Sequence, residues 1–75
     1  MNAAKIIDAT GLSCPMPIIK TKKAIDSIES GEVIELHATD KGSTTDLKAW
    51  TESTGNKLVD AKEEDGVFKF WIQKA

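Results

Sequence analysis

The sequence predicts an α/β (α+β) fold, a two-layer sandwich with two helices on one face of a mixed four-stranded sheet. Three observations predict it. Short apolar runs alternate with helical patterns in the order strand, helix, strand, helix, strand, strand (βαβαββ). A helix separates the first strand from the second and the second from the third, and such crossovers make these three strands parallel. Asp65-Gly66 joins the last two strands as a hairpin, so the fourth runs against the third. Two helices alone cannot cover both faces. Strand order does not follow from the sequence.

The elements read in order. Lys5 to Ala9, with Ile6 and Ile7, is a strand that Thr10-Gly11 breaks. The helix after Cys14 places Ile18, Thr21, Ile25 and Ile28 on one face, with Gly31 as its stop. In Val33 to Thr39, Ile34, Leu36 and Ala38 alternate with Glu35, His37 and Thr39, the pattern of a sheet with one wet face. Asp40-Lys41-Gly42 ends that strand. Ser43 is placed to cap a second helix, with Asp46 three residues on in a weak capping box. Leu47, Trp50 and Thr54 form its apolar stripe and Gly55 ends it. Lys57 to Glu63 and Val67 to Lys74 are the last strands, and Phe68, Phe70 and Ile72 supply the inward side of the second.

The chain of 75 residues forms one domain, residues 1–75, with a thin core. A net charge of −2 disfavours a nucleic-acid binder that works by phosphate neutralisation. The charges are uneven: Lys20, Lys22 and Lys23 cluster in the first helix, and Glu63, Glu64 and Asp65 in a late turn. Each cluster reads as a solvated face, or the lysines as a docking surface for an acidic partner. A single cysteine excludes an internal disulfide and fits a reducing, cytoplasmic setting. Met1-Asn2-Ala3-Ala4-Lys5 lacks the long apolar stretch expected of a signal peptide, and no segment reads as long or apolar enough to span a bilayer.

Cys14 is the residue that carries chemistry. It precedes a helix, near the positive end of the backbone dipole, which favours a thiolate. Pro15 and Pro17 fall in the first helical turn, where a missing N–H costs little. Each proline pushes the preceding residue towards extended geometry, so Cys14 and Met16 are both affected, and the helix starts at Pro15 or at Pro17. The prolines also remove two amides, leaving Met16 and Ile18 as donors near the sulfur. They supply stiffness and exposure more than electrostatic activation. The blander reading of Cys14 is a small buried apolar residue.

Other chemistries fit less well. One Cys and one His do not make a metal site. His37 points to the open sheet face, away from the helices, so a Cys-His pair is not expected and His37 is a bystander. Residue 17 is proline, so there is no Cys-x-x-Cys pair. Trp50 reads as core, and Trp71 as surface or partner-facing. Parallel first and second strands place the Cys14 turn beside the Asp40–Thr45 loop, on the edge where α/β sheets commonly bind ligands. A regulatory binding module and a thiol redox sensor remain as alternative functions.

Asp8-Ala9-Thr10-Gly11-Leu12-Ser13-Cys14-Pro15-Met16-Pro17 resembles the opening signature of the TusA/SirA-like sulfur-carrier family, whose hallmark is Cys-Pro-x-Pro. Gly31-Glu32, Ala38-Thr39-Asp40, Asp46 and Trp50-Thr51-Glu52-Ser53-Thr54-Gly55 extend the resemblance over nearly the whole chain. It implies that Cys14 carries sulfur as a persulfide. A cysteine desulfurase or other donor would load it, and a downstream sulfur-relay protein would take it towards tRNA thiolation, cofactor synthesis or sulfur oxidation. No direct nucleic-acid contact, membrane or cofactor is expected. Pro15, Met16, Pro17, Lys20, Lys23 and Lys41 are the expected partner-binding residues. The chain departs from the family pattern at Lys41, Lys48 and Asn56, in the loops that would set partner choice.

Overall fold

The apolar alternations and helical stripes resolve into β1 (Lys5–Ala9), α1 (Met16–Asp26), β2 (Val33–Ala38), α2 (Ser43–Thr54), β3 (Lys57–Glu64) and β4 (Val67–Gln73). The computed structural model describes residues 3–13 and 15–75, so Cys14 lies outside the described residues. The sheet order is β1-β2-β4-β3. β1 pairs parallel with β2, and β4 pairs antiparallel with both β2 and β3. The first three strands therefore share one direction, as expected, but only β1 and β2 are parallel neighbours. The second crossover skips one strand position, and the returning arm of the hairpin fills it. Asp65 (φ 50°) and Gly66 (φ 80°) form that hairpin's turn, with positive φ at both central residues as in type I′.

One face of the sheet is the core. Ile34, Leu36 and Ala38 of β2 point the same way as Phe70 and Ile72 of β4, and all five are buried. Ala24, Ile25 and Ile28 from the first helical region and Leu47 from α2 close over them. Each large side chain removed from water contributes about 1.5–3 kcal/mol. Pro17, Thr21, Ala24 and Ile25 form the buried face of α1, so Pro17 and Ala24 join the expected stripe and Ile18 is only partly covered. Thr21 is fully buried because its hydroxyl donates to Pro17 O at 2.8 Å.

Three local expectations change. α1 ends at Asp26, and its last carbonyls bond to the N–H groups of Ser27 and Ile28. Gly31 is therefore not the helix stop; its N–H donates to Lys74 O at 2.9 Å and ties the chain to its C-terminal end. The capping box of Ser43 and Asp46 does not form. Gly42 is the N-cap, and Ser43 sits within the helix, buried, its Oγ without a hydrogen-bond partner among the described residues. Asp40 does the nearby work instead, accepting Ser43 N–H on its carbonyl (3.1 Å) and Gly42 N–H on its carboxylate (3.4 Å). On α2, Leu47 and Thr51 are buried and Trp50 is half-buried, whereas Thr54 is exposed and bonds back to Trp50 O.

Candidate functional site

The site is built where β1 and β2 end side by side, with Ala9 opposite Ala38. Asp8 fixes the exit from β1. Its carboxylate accepts the backbone N–H (3.0 Å) and the hydroxyl (2.6 Å) of Thr10, an Asx turn that also holds the Asp8 carboxyl below the usual carboxylate range. The chain then turns through Gly11 at φ 79°, a backbone angle that a side chain resists. Gly11 N–H donates to Thr39 Oγ1 at 2.8 Å, and Leu12 N–H to Ala9 O at 3.2 Å. The loop leaving β1 is thereby bonded to the residue that follows β2. The neighbours expected from the sequence are the Cys14 turn and the Asp40–Thr45 loop; Cys14 lies outside the described residues, and this bond brings together Gly11 and Thr39, the residues just before them.

Beyond residue 14 the helix begins at Met16, with Pro15 as its N-cap and Pro17 inside its first turn. Met16 is helical, not extended. Its N–H donates to Ser13 O at 2.9 Å, and Ile19 N–H donates to Pro15 O at 3.1 Å. The Met16 amide is thus engaged by a carbonyl and is not the free donor the sequence implied. Pro17 is buried among the largest fully enclosed side chains. Buried in this way, it offers no surface to a partner.

The remaining expected contact residues lie outside. Pro15, Met16, Lys23 and Lys41 are exposed and Lys20 is half-buried. Met16 (41 % exposed), Lys20 and Lys23 share one outer stripe of α1 with Ile19 (39 % exposed). Ile19 was not singled out by periodicity, which looks for the buried face. The signal was present in the spacing of Met16, Ile19 and Lys23 on the opposite side.

The open face of the sheet holds a second polar cluster. Glu35 stands opposite Trp71, and the indole Nε1 donates to Glu35 Oε1 at 3.0 Å. The other carboxylate oxygen is 2.5 Å from His37 Nε2. His37 does point away from the helices, but it is half-buried and bonded to Glu35, not exposed and free. The bond from His37 is the main reason the Glu35 carboxyl lies below its usual range. Lys62 lies over the Trp71 ring, 5.9 Å from its centroid. Among the described residues, no helix is long and apolar enough to cross a membrane.

Comparison with known proteins agrees with this architecture. The family described as Sulfurtransferase TusA matches residues 5–74. YrkI of Bacillus subtilis is 53 % identical over 74 residues, covering 99 % of both chains. The sulfur carrier protein TusA of Allochromatium vinosum is 46 % identical over 69 residues, covering 92 % of this chain and 91 % of its own. A SirA-like protein from Desulfitobacterium hafniense has the same fold at a TM-score of 0.81, with 32 % identity over 92 % of this chain and 95 % of that one. With nearly its whole length matched by the family and by these relatives, the chain belongs to the TusA sulfurtransferase family.

Proposed function

We propose that this protein is a sulfur carrier and that Cys14 is the atom-bearing residue. The observation that carries the reading is the family match over residues 5–74 in a chain with one cysteine. A covalent sulfur carrier needs a nucleophilic sulfur, and the sequence offers no second thiol. The geometry on either side supports the reading: Ser13 and Pro15 are exposed, and the preceding turn is tied to β2 through Thr39.

The donor is a protein persulfide, of the kind a cysteine desulfurase forms. Cys14 thiolate attacks the outer sulfur of that persulfide. A new S–S bond forms at Cys14, the donor's S–S bond breaks, and its electron pair leaves on the donor thiolate. Delivery repeats the exchange: an acceptor thiolate on a sulfur-relay protein takes the outer sulfur and Cys14 leaves as thiolate. No net oxidant or reductant is consumed. The outer stripe of Met16, Ile19, Lys23 and the half-buried Lys20, with Pro15 and Lys41, forms the docking surface, apolar near the helix start and basic further along.

Labelled sulfur supplied as cysteine to a desulfurase tests this. Label moving onto wild-type protein, surviving a non-reducing gel and leaving with a thiol reductant is the expected result. Equal labelling of Cys14→Ser would refute it.

A further inference from the structure

From the groove between β1 and α1 we infer a second binding site, for an extended acidic segment of another protein that adds to the sheet as a fifth strand beside β1. The groove is lined by Lys5 and Ile7 of β1 and by Lys20, Lys23, Ala24 and Ser27 along α1. It is an open groove of about 290 Å³, and among the described residues no carboxylate lines it. Among the described residues, none of the three lysines is in an ion pair.

The strand beside it is open. β1 stands at the end of the sheet and pairs only with β2. Ala4 N–H donates to Val33 O, so the alternation of the ladder turns the N–H and C=O groups of Lys5 and Ile7 outwards. An edge of this kind accepts an extended peptide through its main chain, and side-chain pockets at period two select the sequence. One side of the added strand meets the lysine-rimmed groove and favours Asp or Glu. The other side meets Ile6, which is 66 % exposed on the open face, and favours an apolar residue. The opposite edge of the sheet lacks these features. β3 carries a bulge between Leu58 and Asp60 and a run of charges from Lys62 to Glu64, devices that discourage strand addition. A second copy of this chain is the wrong occupant at β1, because two such grooves would bring lysines against lysines.

The site shares Lys20 and Lys23 with the docking surface for sulfur partners but not its covalent chemistry. Peptide binding can therefore fail while sulfur loading holds, and the reverse.

The test uses the full chain and a blocked heptapeptide alternating glutamate and valine, followed by amide NMR. Binding is expected to slow exchange of the Lys5 and Ile7 amides about tenfold or more, with Ile6 and Asp8 unchanged. The double variant K20E/K23E is expected to weaken binding about tenfold. Three results would each overturn the inference: no binding at millimolar peptide, equal binding of a peptide N-methylated at alternate amides, or equal binding of a lysine–valine peptide.

Discussion

Gly11 N–H donates to Thr39 Oγ1 across 28 residues of sequence, at 2.8 Å. This bond joins the turn before Cys14 to the end of β2. It ties Gly11, in the loop leaving β1, to the residue that follows a strand in the middle of the fold. Thr39→Val keeps the shape of the side chain and removes the acceptor, at a cost of about 1 kcal/mol. We expect slower sulfur acceptance with a nearly unchanged far-UV spectrum, and Thr39→Ser to restore the rate. Single-turnover loading of both variants checks this. An unchanged Thr39→Val rate would assign the bond to stability alone.

The exposed apolar pair on α1 gives a second expectation. Ile19 is 39 % exposed beside Met16, and neither is part of the core. Ile19→Asp places a charge where a protein partner would dock. We expect KM for a protein donor to rise about tenfold, the scale of one interface anchor. Loading from a small persulfide, which needs no docking surface, should stay as it is. Steady-state kinetics with both donors separates the two.

Ser43 supplies a stability prediction. Its hydroxyl is buried and unpartnered among the described residues, and an unsatisfied buried group costs about 1–3 kcal/mol. Ser43→Ala should raise stability by about 1 kcal/mol, or roughly 4–8 °C in Tm for a chain of this size. Thermal unfolding by circular dichroism measures it. A loss of stability would mean that the hydroxyl has a partner in the folded protein.

The acid limb of stability follows from Glu35. Its carboxyl is held below its ordinary value of 4.5, first by the bond from His37 and then by that from Trp71, against some burial. A carboxyl lowered on folding contributes stability that is complete above its unfolded value and fades as pH falls through the folded one. The contribution is therefore present at neutral pH and lost from about pH 4.5 downwards. Glu35→Gln should be less stable at pH 7 and should lose less on acidification. Asp8, lowered by its bonds from Thr10, keeps its own share of that acid limb. Urea unfolding across pH gives both slopes.

Much of this fold was legible in the sequence, because period and punctuation act locally. The alternation of Ile34, Leu36 and Ala38, the helical spacing of Thr21 and Ile25, and the Asp65-Gly66 turn all state where a side chain points before any tertiary contact exists. Strand order was not legible, since nothing local tells β4 to slip between β2 and β3. Ser43 misled for a related reason: its type suits an N-cap, but Asp40 already serves that end and packing draws Ser43 inside. At the site, parallel β1 and β2 end side by side as the crossover implied, and the Gly11–Thr39 bond links their exits. The open face was harder to read. Glu35, His37 and Trp71 look independent in sequence, and only the register of β2 against β4 brings the indole to the carboxylate.

The most direct test of the account is the mass of the intact protein after incubation with a desulfurase and cysteine, with the modified peptide then mapped. The account predicts a gain of one sulfur atom on the wild type, located on the peptide that holds Cys14 and reversed by a thiol acceptor. Wild-type protein that gains no sulfur, or a Cys14→Ser variant that gains it equally, would contradict it.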